Sequence, residues 1–325
     1  MNRIVRAAAS LGILALSLAA AEGALRLKNA SMRNYDIEMW RYARELKTPS
    51  DNALLGHEHL PNREAILQST LIRTNAWGLR GGPVSETPAP GTRRIMVLGG
   101  SLTLGWGVAE DQTVSSLLQK KFDEASIKAE VLNAGIGNYN AQRYIERFLI
   151  RLAILHPTDI LVLTFPRDGE ALEQGGGNWL LRNSELAVIF WIAANRLLGP
   201  FTDRTVEDHY RVVYTTGSEN VKIMRDEFEK LARYAVANNV NVTIAMVPDI
   251  HNLVDYRLNF VNEYFAGMAR YLNFSYIDTL PFFQKVPANE LWAMPGDPHP
   301  NALGHAIIAD AVFPLVRDKS GSGAH

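Results

Sequence analysis

From Arg93 onward, short apolar runs alternate with longer segments whose apolar residues recur every three or four positions. The runs IMVLGG, AEVLNAGIG, TDILVLTFP, VNVTIAMVPD and FSYIDTLP read as strands. Between them, TVSSLLQKKFDEA, NAQRYIERFLIRLAIL, SENVKIMRDEFEKLARYAVANN and LVDYRLNFVNEYFAGMARYLN carry helical spacing, and NALGHAIIADAVFPLV closes the series as a helix. Asn140 and Asn301 stand where N-caps are expected. Strands this apolar need cover on both faces. The alternation therefore predicts a three-layer α/β/α sandwich around a parallel, flavodoxin-like sheet of about five strands.

Three segments lie outside that rhythm. Residues 29–92 are polar and broken, with prolines at 83, 88 and 90, and read as an irregular segment that packs on the following domain. ELAVIFWIAANRLLG, residues 185–199, is apolar nearly all round; it reads as an extra core helix, with a helix resting on a membrane or covering a cleft as the alternatives. At the N-terminus, Arg3 and Arg6 precede a charge-free run from Ala7 to Ala21. A positive start followed by such a run reads as an export signal, with a buried N-terminal helix as the alternative. It is either cleaved near Ala19–Ala21 or retained as a membrane anchor, with the positive end inside and the body outside the inner membrane, in the periplasm. The expected organisation is signal or anchor over 1–28, irregular segment over 29–92, α/β domain over 93–318 and disordered tail over 319–325.

Composition narrows the chemistry. The 325-residue chain has 33 basic and 34 acidic residues, so no overall field draws it to nucleic acid. It has no cysteine, which excludes disulfides, thiolate nucleophiles and Cys-based metal sites.

In open parallel sheets, ligands sit beyond the carboxyl ends of the strands. The residues falling there are Gly99-Gly100-Ser101, Asn133 to Asn138, Arg167-Asp168, Pro248 to His251, and Gly296 to Asn301. A serine hydroxyl needs a base, and the base needs a carboxylate to set its tautomer. Asp297 and His299 stand two apart in one short loop, and alternate residues of an extended segment share a face.

GGSLTLGWGV, LNAGIGNYNA, TFPRD and DPHPNALGH together resemble the SGNH hydrolases, also called the GDSL esterase/lipase family, over about Arg93 to Val316. TNAWGLRG, Thr74 to Gly81, resembles a motif of membrane-anchored bacterial members that often accompany exopolysaccharide genes. The resemblance implies Ser101 as nucleophile, His299 as base and Asp297 as the acid that orients it, since Gly296 holds the place three before the histidine. It implies oxyanion donors from the serine N–H, a glycine N–H and an asparagine side chain. Aligned on Asn133, the glycine falls at Asn138, with Gly137 one residue early, and the asparagine falls at Arg167. Gly100 replaces the usual aspartate before the serine. Asparagine tolerates positive φ, and arginine donates well. The implied function is an exported serine esterase or O-acyltransferase. It would act on acyl, chiefly acetyl, esters of an envelope or secreted polysaccharide, without metal or organic cofactor, beside possible polysaccharide-assembly partners. The alternative is a catalytically degenerate protein that binds glycan or such a partner. His57 and His59 read as loop residues with no third metal ligand, His251 as a solvated loop histidine, His305 as a helix-packing residue, and Asn75 and Arg80 as ties between the N-terminal segment and the domain.

Overall fold

The computed structural model describes residues 3–29, 35–172, 179–198, 205–215, 217–294 and 297–318. Five parallel strands form its centre: β1 (Arg93–Leu98), β2 (Ala129–Asn133), β3 (Asp159–Thr164), β4 (Asn241–Met246) and β5 (Ser275–Asp278). Their order is β2-β1-β3-β4-β5, the flavodoxin-like winding. Val97 pairs with Asn133, Leu98 with Val162 and Met246 with both Thr164 and Asp278, so the strands end along one edge. Helices Val114–Glu124 and Ala302–Arg317 cover one face; helices Ala141–Arg147, Glu219–Asn238 and Asn259–Tyr271 cover the other. β3 is buried at every position, as its unbroken apolar run requires.

Capping follows the sequence: Asn140 accepts from the Arg143 N–H, and Asn301 accepts from the Leu303 and Gly304 N–H groups. The segment expected as one helix over 140–155 is instead an α-helix to Arg147, a π-turn Phe148–Leu152 and a 3₁₀ turn Ala153–Leu155. It ends on His156 in left-handed conformation, φ 51°.

Residues 35–80 hold more regular structure than their broken pattern predicts. They contain a helix, Tyr35–Glu45, and two small antiparallel ribbons, Lys47–Pro49 with His57–His59 and Glu64–Leu67 with Thr70–Arg73. A second, smaller core of Tyr42, Leu46, Leu67, Ile72, Leu104 and Trp106 joins this segment to the domain. Arg80 ties it further, donating to the carbonyls of Leu104, Gly105 and Val108, and Asn75 closes its own loop onto Gly82.

Helix Glu185–Leu198 is not a core helix. Phe190 is 63% and Leu197 81% exposed, while among its described apolar residues only Val188 is fully buried. It packs beside the N-terminal helix Arg3–Asn29, whose Glu22 carboxylate accepts from the Glu185 and Leu186 N–H groups and caps it. The expected tail, 319–325, lies outside the described residues.

Candidate active site

Ser101 opens a four-residue helix directly after β1, so its N–H belongs to the first turn and has no partner within the helix. The strand-to-helix bend has little room. A Cβ on Gly99 would lie 2.1 Å from the Thr103 hydroxyl, and one on Gly100 would lie 2.9 Å from the Tyr139 carbonyl. The glycines before the serine thus let Thr103 stand inside the bend and bring the turn after β2 against it. No aspartate could occupy position 100 without moving that turn.

Folding brings Ser101 to His299 across 198 positions of chain: Oγ and Nε2 are 2.7 Å apart. With the ring proton on Nδ1, the hydroxyl donates to Nε2, the arrangement a general base requires. His299 lies on a short strand, Asp297–Pro300, paired antiparallel with Trp292–Met294. The histidine is therefore carried by a ribbon, where the sequence suggested a short loop. The Asp297 side chain and Gly296 lie outside the described residues.

The turn after β2 faces the serine from the other side. Asn133 holds the two together: its amide donates to the Thr103 carbonyl at 2.9 Å and its Oδ1 accepts from the Gly135 N–H at 3.0 Å. Asn138 has φ 64°, the left-handed conformation that asparagine tolerates. Gly137 has a different part from the oxyanion donor expected of it. Its N–H is already given to the Tyr42 hydroxyl at 2.9 Å, and a Cβ there would fall 2.5 Å from the Tyr42 ring. Its carbonyl accepts from Lys47 Nζ at 2.8 Å and His57 Nε2 at 3.0 Å. The Asn138 carbonyl accepts from Arg143, and its Oδ1 from Arg167 at 3.4 Å. Among the described residues, neither the Asn138 N–H nor its side-chain amide donates to another protein group.

Arg167 follows β3 on a 3₁₀ turn, half exposed and held by Glu170 at 3.1 Å. Its position beside Asn138 puts a permanent positive charge next to the turn that follows β2. Behind it, Asp168 is buried, caps the turn through the Phe165 N–H and accepts from the Tyr144 hydroxyl; burial pushes its carboxyl up to about 7.

Burial perturbs the titratable groups gathered around Gly137. Burial, then the Lys47 charge, pushes the His57 imidazole down to about 3. Burial, then Arg147, holds His59 well below its ordinary value. His59 is thereby neutral: its Nδ1–H donates to the Gly78 carbonyl at 2.9 Å, and its Nε2 accepts from the Tyr42 hydroxyl at 2.6 Å. Burial and Arg143 push Lys47 down to about 7. The signal that could have found this cluster is the G-H-E-H spacing, which points both histidines to one side of a strand. His305 packs as expected, 1% exposed, and accepts from the Val114 N–H. His251 is exposed but not free, since its Nδ1 lies 2.5 Å from Asp249. Among the described residues, no cluster of three or more His, Asp or Glu is placed to hold a metal ion.

The sequence profile of the GDSL-like lipase/acylhydrolase family matches residues 97–307, most of the chain and all of the strand-end motifs. This protein belongs to that family. Family members are ester hydrolases, and this chain is one by membership. Solved structures with a similar fold include TesA, at 14% identity over 69% of this chain and 98% of that one, TM-score 0.44. The psychrotrophic esterase EstA from Pseudoalteromonas sp. is 19% identical over 69% and 97%, TM-score 0.42. A two-domain esterase, CEX, active on acetylated mannans, is 16% identical over 72% of this chain and 52% of that one, TM-score 0.44. No curated protein matches this chain.

Proposed function

We propose that this GDSL-family member is a serine esterase working through an acyl-enzyme, with Ser101 as nucleophile and His299 as its general base. The observation that carries the reading is the 2.7 Å contact between Ser101 Oγ and His299 Nε2. His299 takes the serine proton as Oγ attacks the acyl carbonyl, then returns it to the leaving alcohol. The Ser101 and Asn138 N–H groups, with Arg167 at the rim, hold the oxyanion. Water, or a sugar hydroxyl in the transferase variant of the same chemistry, then takes the acyl group. Asp297 is assigned as the carboxylate that fixes the His299 tautomer.

The substrate is assigned as an O-acyl, chiefly acetyl, ester of an envelope or secreted polysaccharide, met outside the inner membrane. Two features support this setting. Helix Arg3–Asn29 is long and apolar enough to cross a membrane and is unburied along its apolar window. The TNAWGLRG segment, which resembles membrane-anchored members, is built into the domain through Arg80. The exposed Phe190 and Leu197, beside that helix, then face the bilayer surface.

The test is fluorophosphonate labelling of the full chain together with turnover of aryl acetates. Labelling and turnover lost in Ser101→Ala are expected. A well-folded wild-type protein that neither labels nor turns over would leave the glycan- or partner-binding reading in its place.

A further inference from the structure

We infer that Lys47 and His57, from the N-terminal segment outside the family match, are positioning residues for the oxyanion hole: by binding the Gly137 carbonyl they aim the Asn138 N–H into the serine cleft. The inference rests on the esterase reading above.

The Gly137 carbonyl and the Asn138 N–H belong to one peptide unit. That unit is planar and trans, so its C=O and N–H point in opposite directions. Whatever holds the oxygen on one side fixes the hydrogen on the other. Lys47 Nζ and His57 Nε2 converge on that oxygen at 2.8 and 3.0 Å, both from the ribbon Lys47–Pro49 with His57–His59. The same turn borders the residue before the serine: a Cβ on Gly100 would lie 2.9 Å from the Tyr139 carbonyl oxygen, and the Ile136 N–H donates to the Gly99 carbonyl.

The next peptide back is pinned as firmly. Gly137 N–H donates to Tyr42, Tyr42 donates to His59, and His59 donates to the Gly78 carbonyl. Each donor in this chain meets an acceptor, so its direction has no ambiguity. A peptide in this turn has another available orientation, with the plane rotated and the carbonyl directed at the serine. That orientation would strip Lys47 and His57 of their acceptor while both are half-buried. The N-terminal segment therefore makes the donor orientation the stable one before substrate arrives, which is the condition for oxyanion stabilisation without reorganisation. It also adds, from outside the matched region, to the support that Arg143 and Arg167 give Asn138 from within it.

The experiment compares full-length wild type with Lys47→Met, His57→Phe, the double variant and His57→Gln. Aryl acetate kinetics are measured on protein whose folding is verified by thermal melting. Each single removal should lower kcat about 10-fold and the double about 10²-fold, with KM unchanged, the scale of losing one oxyanion donor. His57→Gln, whose amide can still donate to the carbonyl, should recover most of kcat. A folded double variant with kcat within about twofold of wild type overturns the inference, as does a rise in KM alone or a His57→Gln no better than His57→Phe. If the double variant does not fold, the single variants and the Gln rescue decide by the same criteria. An inert, unlabelled wild type is a different outcome: it removes the esterase reading, and this inference with it.

Discussion

The turn over 136–138 and the ribbon that carries His299 flank the same serine, yet they are anchored by opposite means. The turn is stitched from behind by a separate segment: Tyr42, Lys47 and His57 occupy its N–H and carbonyl, and Arg143 takes the next carbonyl. Tyr42 itself is fully buried. The ribbon Trp292–Met294 with Asp297–Pro300 stands at the rim, held to the body by the Trp292 indole on the Ile250 carbonyl and by Asn301 on Leu291. The difference suits the two chemical duties proposed for them. An oxyanion donor acts by not moving, so it belongs on a buried, satisfied network. A general base passes its proton between two oxygens in turn, and a side chain at the cleft rim serves that duty with fewer constraints.

That contrast can be broken by mutation, and the largest effect should come from the base side. His299→Ala should lower kcat by about 10⁴-fold or more while leaving the melting temperature nearly unchanged, because a rim histidine contributes little packing. Asp297→Asn should cost on the order of 10⁴-fold through the wrong imidazole tautomer. Unaltered kinetics in that variant would remove Asp297 from the mechanism. Arg167→Ala should lower kcat about 10²-fold with little change in KM; a selective rise in KM would instead make Arg167 a substrate anchor.

On the turn side, activity and stability should fall together. Tyr42→Phe leaves the Gly137 N–H and His59 Nε2 without partners, a loss of about 1–3 kcal/mol for each buried unpaired group, read by denaturant unfolding. A Tyr42→Phe protein as stable as wild type would show that the network is not what holds the turn.

The smallest effect expected is in pH. Folded His57 and His305 stay neutral down to about 3, against an ordinary value of 6.5. Below pH 6.5 the unfolded chain binds protons that the folded one does not, so stability should fall as pH drops from about 6.5 toward 3. Asp168 works the other way: its carboxyl is protonated up to about 7 when folded and to 3.8 when unfolded, so it gains stability as pH falls through 7. Two imidazoles outweigh one carboxyl, and Asp168→Asn should steepen the acid-side loss seen by thermal melting. A melting temperature that rises steadily from pH 6.5 to 4 would contradict this balance.

The sheet was legible because its signal is local. Apolar runs such as ILVLT in β3 declare a strand covered on both faces, and Asn140 and Asn301 mark helix starts by chemistry that acts within a single turn. Ser101, Asn138 and Arg167 were readable because each follows an end of a sheet strand, where a parallel sheet collects polar residues on one edge, whereas His299 sits on the ribbon strand Asp297–Pro300 and was readable from its motif. Helix Glu185–Leu198 was misread as core because an apolar composition says that a face must be covered without saying by what; Phe190 and Leu197 are exposed in the fold.

The order of residues along the chain thus determined the α/β/α layers, the family and the strand ends that bear the chemistry, since each depends on patterns within some twenty positions. It did not determine what becomes of the Gly137–Asn138 peptide. Lys47 and His57 lie 90 and 80 positions upstream, and their hydrogen bonds to that carbonyl exist only once two separate pieces of chain are packed together. A hydrogen bond across such a distance leaves no periodicity and no motif; its partners are chosen by three-dimensional neighbourhood, and burial then makes the choice costly to undo.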